Sequence, residues 1–532
     1  MGLIYLDNNA TTKVAPEVLE AMLPYFKEEY ANPSSVYEFA KRSNHAVKEA
    51  RGVLKDFYNA KDEKEIIFTS CGSESANTAI RGVLNMNKNK RHIITTKVEH
   101  PCVLNLYRSL EKEGYKVDYI GVNSNGELDL AQLEEAINED TALVSVMYAN
   151  NETGVVFPIK KISEIIKSKN SQTKFYVDAV QVTGKLPIDV QDLGVDIMGI
   201  SGHKFHAPKG IGALYVNSKT LITPLIIGGH QERGKRAGTE NVPYIVGMAK
   251  AAELAMDSLK YEATEIKRLR DKLEQNIVKN VFNARLNAGI INRVPNTTNI
   301  GFEYIEGELI LLHLSDLGIC ASSGSACTSG SLEPSHVLRA MNVPFTAVHG
   351  SIRFSLSRFT TEKEIDYIES IKYELESAIT LDELKEISEE IKENAIFKEK
   401  IKKGKKNKNT KKSQKHKFSP IEYEIDGFKI YVGRNNKEND WLTLSFAQKT
   451  DIWFHTKDIH GSHVILKADK PISDDILVKA AEIAAKHSQA KESSNVPVDY
   501  CKVQYVKKPN SSKPGMVIFT NNKTLNVNPL KA

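Results

Sequence analysis

The chain has 532 residues, 41% of them hydrophobic and 26% charged, with a formal net charge of +5. That is longer than one ordinary domain, and the composition is that of a soluble globular protein, so two or three domains are expected. No run approaches the roughly eighteen apolar residues of a membrane span, no basic segment followed by an apolar stretch opens the chain, and the protein reads as cytoplasmic. Five cysteines (71, 102, 320, 327 and 501) without metal-ligand spacing argue against both a disulfide framework and a zinc site.

In chain order, short apolar runs at 65–69, 92–96, 142–147, 174–177 and 196–200 read as strands. Helical patterns at 103–113, 131–138 and 159–168 lie between several of them. This predicts an α/β fold with a largely parallel sheet covered on both faces, and active residues at the carboxyl ends of its strands. After the first strand, Gly72 and Ser73 open a helix and offer backbone N–H groups and a hydroxyl to a phosphate, although a Gly/Ser turn that caps a helix looks the same. His100 follows the second strand and could stack on a ring and shuttle protons. Asn151, in Asn150-Asn151-Glu152-Thr153-Gly154, could touch cofactor and substrate or form an Asx turn.

Asp178 ends a further strand, where a carboxylate can keep a pyridine nitrogen protonated, and Gln181 beside it could donate to the ring's phenolate oxygen. Ser201-Gly-His203-Lys204 comes one βα unit later. Ser201 and His203 suit a phosphate, and Lys204 suits the Schiff-base partner of pyridoxal 5'-phosphate, because a buried amine loses its proton readily. Arg353, in Ser351-Ile-Arg353-Phe-Ser355, has the fork that grips an α-carboxylate, or it forms a buried ion pair. Cys327 sits in Ser322-Ser-Gly-Ser-Ala-Cys327-Thr-Ser-Gly, a small, polar stretch that suits a thiol carrying sulfur. Lysine and cysteine together suggest an enzyme that strips sulfur from cysteine.

From about residue 3 to 375 the chain resembles the NifS-type cysteine desulfurases. The resemblance is carried by Tyr5-Leu-Asp7-Asn-Asn-Ala-Thr-Thr12, Asn32-Pro33-Ser34-Ser35, the Ser-x-His-Lys lysine, Gly228-Gly-His230-Gln-Glu-Arg233, Arg236-Ala-Gly238-Thr239-Glu-Asn241 and the Cys327 stretch. It implies the fold of the aminotransferase-like pyridoxal phosphate enzymes (fold type I), with a large domain at about 15–255 and a small domain from both ends of 1–380. It also implies a homodimer in which Thr239 reaches the phosphate bound by the other subunit. L-cysteine is converted to L-alanine, Lys204 moves the α-proton with help from His100, and Cys327 keeps the sulfur as a persulfide. Cys71 stands where members often carry Gly. Cys102, Cys320 and Cys501 read as packing residues.

Residues 381–400 form a charged helical pattern, and 398–417 hold eleven lysines against Glu399 alone, a local charge of +10. So little is apolar there that the segment reads as a linker, 381–418 in all, either a solvated spacer or an electrostatic arm for RNA through residues such as Lys405, Lys406, Lys411 and Lys412. The last module, 419–532, predicts strands at 421–425, 428–432, 451–455, 463–466 and 516–519 and a helix at 473–488. Trp453, His455, Lys457, His463, Lys507 and Lys508 mix rings with cations as RNA-binding surfaces do, although Trp453 and Phe454 read equally as core. From about 420 to 529 this α+β module resembles the NFACT-R domain of ribosome-quality-control proteins. Asp426-Gly-Phe428, Tyr431-Val-Gly433-Arg434-Asn435-Asn436, Asp451-Ile-Trp453-Phe-His455 and Lys507-Lys-Pro-Asn510 carry that likeness, which implies recognition of RNA, transfer RNA first. A desulfurase joined to such a module suggests sulfur supply for thiolation of transfer RNA through a separate thiolase. The alternatives are a general sulfur donor to an iron–sulfur scaffold protein and a ribosome- or transfer-RNA-binding adaptor.

Overall fold

The computed structural model describes residues 3–289, 292–323, 334–368, 418–457, 459, 461–491, 493–509 and 515–530. They divide into two compact units, 2–365 and 366–532. The predicted helical stretch 381–400 and the lysine run lie outside the described residues.

In the first unit a short strand β1 (Ile4–Tyr5) precedes seven strands of one sheet: β2 (Ile66–Thr69), β3 (His92–Thr96), β4 (Lys116–Ile120), β5 (Thr141–Met147), β6 (Lys174–Asp178), β7 (Ile197–Ser201) and β8 (Gly212–Val216). Their order is β2-β8-β7-β6-β5-β3-β4, parallel from β4 to β7, with β8 antiparallel to both of its neighbours. The strands read as unbroken apolar runs because both faces are buried. Ile66, Phe68, Ile94, Phe175 and Val177 point into one core, while Ile67, Ile93 and Tyr176 point into the other. The five predicted strands all occur within a residue or so. Strands β4 and β8 were not predicted; β4 carries Lys116 and Asp118 at a half-exposed sheet edge, which breaks the apolar signal.

The helix Gly72–Met86 covers one face through Ala76, Ala79, Ile80, Val83 and Leu84, the spacing of a single helical stripe. Two further predicted helices run Pro101–Lys112 and Ile159–Lys169, and the third is the shorter Leu130–Ala136. A smaller sheet follows: β9 (Ala284–Leu286), β10 (Thr297–Phe302), β12 (Ser322–Ser323) and β13 (Ser351–Ser355), in the order β12-β13-β10-β9. Between them in sequence, β11 (Ile319–Cys320) pairs in parallel with β1, and Asp7 bridges to Ser355, so the two ends of this unit meet.

The second unit is a six-stranded antiparallel sheet with one helix, Asp474–Lys486, on one face. Its strands are β14 (Ile421–Ile425), β15 (Phe428–Val432), β16 (Ile452–Thr456), β17 (Val464–Leu466), β18 (Val496–Lys502) and β21 (Lys523–Val527), with β19 (Val506–Lys507) and β20 (Ile518–Phe519) paired separately. β18 and β21 were not predicted, since Pro497 and the polar faces of both strands hide the alternation. Among the described residues, no helix is long and apolar enough to cross a membrane.

Candidate active site

Five strands of the large sheet deliver residues to one edge, their carboxyl ends. β2 leads to Gly72 and Ser73, β3 to His100, β5 to Asn151, β6 to Asp178 and Gln181, and β7 to Ser201, His203 and Lys204. All nine line one cavity of about 400 Å³, and Arg353 joins them from β13 of the smaller sheet. The parallel arrangement does this without any further device, because every parallel strand ends on the same side.

Lys204 closes a tight turn, Gly202–Lys204, and its Nζ donates to the Asn9 carbonyl at 2.5 Å and the Ala10 carbonyl at 2.8 Å. His203 Nδ1 meets Thr11 Oγ1 at 3.2 Å. Burial, reinforced by the Lys204 charge, pushes the His203 and His100 imidazoles down to about 4, so both are neutral near pH 7. His100 caps the helix Pro101–Lys112, its Nδ1 accepting from the Cys102 N–H at 3.2 Å. Asp178 is buried, and that burial raises its carboxyl to about 6, although the Val180 N–H it accepts at 3.0 Å and Lys204 both oppose the shift. A cation placed beside Asp178 would hold it ionised.

The Asx turn after β5 belongs to Asn150, whose Oδ1 accepts from the Glu152 and Thr153 N–H groups; the Asn151 side chain is thereby left for the cavity. Arg353 serves both of its expected readings at once. Its guanidinium pairs with Asp7 at 2.7 Å and donates to the Asn151 carbonyl at 2.9 Å, yet it lines the cavity and its Nε has no partner.

These residues fit pyridoxal phosphate. The Ser201 hydroxyl is buried at the cavity wall with no hydrogen-bond partner among the described residues, and a phosphate oxygen would supply one. Opposite it begins the fifteen-residue helix Gly72–Met86, whose N-cap residue Cys71 makes no side-chain cap and leaves the first N–H groups to an anion. Gly72 sits close to the cavity wall: a Cβ there would stand 3.1 Å from Val180 Cγ2, a tight contact, and 3.5 Å from Ser201 Cβ.

Thr239 is not in this cavity. It lines a separate one of about 220 Å³ with Ser70, Glu232 and Arg236. Cys327 lies outside the described residues. Just beyond that segment, Ser335 donates to the buried Glu152 carboxylate at 2.5 Å and His336 Nε2 meets the Glu99 carbonyl at 3.0 Å, so the chain returns beside Asn151 and His100. Two cysteines, Cys71 and Cys102, line the cavity as well. Burial pushes the Cys102 thiol up and keeps it protonated, and Cys501 is buried in the second unit. Sequence reasoning assigned no role to Asn9 and Ala10, which anchor Lys204; the polar Asn8-Asn9 pair in a short turn was the signal.

In the second unit two expected RNA contacts need correction. Trp453 is 1% exposed, stacked on His455 of its own strand and tilted against Phe519, and His463 is 2% exposed with Nδ1 bonded to Thr443 at 2.8 Å. Both point into the sheet's second core, and neither presents a ring to a base. Burial pushes His463 down to about 3, so it brings no charge either. His455 is half-buried, its Nε2 on the Gly461 carbonyl, and Lys508 is ion-paired with Asp440. Lys457 and Lys507 are exposed. Lys405, Lys406, Lys411 and Lys412 lie outside the described residues.

Comparison with known proteins agrees with this geometry. The family model Aminotransferase class-V matches residues 4–368, and the NFACT protein RNA binding domain matches 416–521. A cysteine desulfurase of Nostoc sp. is 56% identical over 375 residues, covering 70% of this chain and 93% of the relative. The cysteine desulfurase NifS of Azotobacter vinelandii is 51% identical over 368 residues, 69% of this chain and 91% of that one. A solved NifS-like protein superposes with a TM-score of 0.65 at 39% identity, over 73% of this chain and 98% of its own.

Proposed function

Because the chain belongs to the class-V aminotransferase family as a pyridoxal-phosphate-dependent cysteine desulfurase, with an NFACT-type RNA-binding domain beyond it, we propose that it loads sulfur from L-cysteine onto Cys327 for thiolation of transfer RNA. The observation that carries the enzymatic half is the convergence of Lys204, Asp178, His100 and Arg353 on one cavity with a partnerless buried hydroxyl.

Lys204 attaches the cofactor, Asp178 pairs with its pyridine nitrogen, Gln181 donates to its phenolate oxygen, and Gly72, Ser73, Ser201 and His203 hold its phosphate. Pyridoxal phosphate, when bound, supplies an electron sink for the bond broken at the substrate α-carbon. Arg353 and Asn151 hold the substrate carboxylate, which then shares the guanidinium with Asp7. The Lys204 amine would take the α-proton, and neutral His100 is ready to accept one. The Cys327 thiolate attacks the substrate sulfur: a new S–S bond forms, the carbon–sulfur bond breaks with its electron pair left on the β-carbon, and a proton on that carbon together with return of the α-proton completes alanine. The outer sulfur passes from the persulfide to an acceptor protein.

The enzyme works as a homodimer in the cytoplasm, with Thr239 serving the partner's phosphate, which accounts for its place in a separate cavity. Residues 1–380 form the desulfurase, 381–418 the tether and 419–532 the RNA-binding domain. The tether holds persulfide near bound RNA at an effective concentration of about a millimolar. The test is mass spectrometry of transfer-RNA nucleosides from cells lacking the chain. Loss of a thiolated nucleoside, restored by the intact chain and not by Cys327→Ala, is expected; unchanged nucleosides overturn the RNA half of this reading.

A further inference from the structure

Lys185 is an amine whose charge is costly to keep: burial pushes it down to about 7, although Glu262 opposes the shift. It is 6% exposed, one turn of chain beyond Gln181, and its Nζ bonds to two neutral amide oxygens, Gln181 Oε1 at 3.1 Å and Asn9 Oδ1 at 3.0 Å. Glu262, itself buried in the small pocket that Lys185 lines, acts on it only at longer range. An ammonium held in the interior by amides alone is costly, so its worth must lie in what it does to them.

Both amides reach the active site. Gln181 lines the Lys204 cavity and spends one Nε2 hydrogen on the Asn9 carbonyl at 3.1 Å. That same carbonyl receives Lys204 Nζ at 2.5 Å, while the Asn9 side chain receives Lys185 and, at 3.2 Å, Asn296. Lys185 donates to the carbonyl end of the Gln181 amide, and in its protonated form it can face no other end, because an ammonium never accepts. A flipped amide would set N–H against N–H. Without Lys185 the Asn9 carbonyl alone orients the amide, and a flip presents an oxygen where a donor is wanted.

We propose that Lys185 is a positioning residue: it locks the Gln181 amide with its NH₂ end available to the cofactor's phenolate oxygen and steadies the Asn9 carbonyl that holds Lys204. The inference rests on the reading of Gln181 as the partner of that oxygen.

The test is a double-mutant cycle in the full-length protein with Lys185→Met and Gln181→Ala, singly and together. Two quantities are read: the pH titration of the bound pyridoxal phosphate chromophore and the cofactor's dissociation constant, with thermal melting as a control for folding. Each single variant is expected to move the chromophore titration in the same direction and to weaken cofactor binding about tenfold, the weight of one hydrogen bond to a charged group. The double variant should be no worse than Gln181→Ala. Additive effects, or an unchanged titration in Lys185→Met beside a shifted one in Gln181→Ala, overturn the role of Lys185 alone. An unchanged titration in Gln181→Ala overturns the placement of Gln181 and this inference with it. If Lys185→Met does not fold, Lys185→Gln, which keeps an N–H donor, enters the same cycle; it should retain the wild-type titration, and a titration shifted as far as in Gln181→Ala overturns the role.

Discussion

The Lys204 cavity and the Trp453 cluster contain similar residues, rings, histidines and charged groups in buried places, but use them in opposite ways. Around Lys204, hydrogen-bonding capacity is left over: Ser201 Oγ, Arg353 Nε and Glu99 Oε2 are buried without partners. Around Trp453, nearly all of it is consumed. Asp451 takes Lys467 at 2.6 Å and the Gln448 and Ala468 N–H groups, Asp440 takes Lys508 and the Gly515 N–H, and His463 takes Thr443. The Trp453 indole N–H has no partner among the described residues. Residue type proposes a ligand site in both regions, and unspent hydrogen-bonding capacity at a cavity wall separates the one that holds a ligand from the one that holds a fold.

The largest effect should come from Lys204→Ala. Losing both the Schiff-base amine and the proton carrier should lower alanine formation from cysteine by about 10⁴-fold or more, with the fold retained by circular dichroism. Turnover within tenfold of the intact enzyme would break the comparison at its catalytic end. Next, Trp453→Ala should cost about 3–5 kcal/mol in denaturant unfolding, as large core truncations do. By contrast, Lys457→Ala and Lys507→Ala should stay within about 0.5 kcal/mol of the parent, and each should reduce the salt slope of RNA binding by about 1. A Trp453→Ala protein that is fully stable but blind to RNA would reverse the assignment of that cluster.

A pH effect is expected at Glu99. Burial raises the Glu99 carboxyl to about 8 despite the Met147 N–H and Thr96 hydroxyl it accepts. An unfolded chain releases that proton near 4.5, the folded chain only near 8, so folding takes up a proton between these values and Glu99 makes stability fall as pH rises through that window. Glu99→Gln should remove this loss in the cofactor-free protein, a gain over the parent that grows from nothing near pH 4.5 to about 3 kcal/mol by pH 7, at 1.36 kcal/mol per pKa unit. Parallel pH profiles for the two proteins would show that Glu99 is not the strained group.

Much of the catalytic cavity could be read from the linear order of residues. A polar motif after each apolar run marks the carboxyl end of a parallel strand, and parallel strands bring such ends together regardless of their separation along the chain. Arg353 was legible by its fork, but its double attachment to Asp7 and Asn151 was not, since Asp7 lies 346 residues away. In the second unit, Trp453 was left open between core and RNA contact and His463 was read as an RNA contact, because alternation along a strand says that residues change faces without saying that both faces are covered.

What the residues determined by themselves were therefore the chemistry and the strand ends: which groups could bind phosphate, accept a proton or carry sulfur, and where each chain segment would stop. These are local properties, set by side-chain chemistry and by apolar runs a few residues long. Tertiary structure alone decided which polar groups stay unsatisfied, that Lys185 lies behind Gln181 and Asn9, and that the second unit's tryptophan is core. Burial and hydrogen-bond partnership depend on what packs from distant segments, and no short stretch of sequence contains that information.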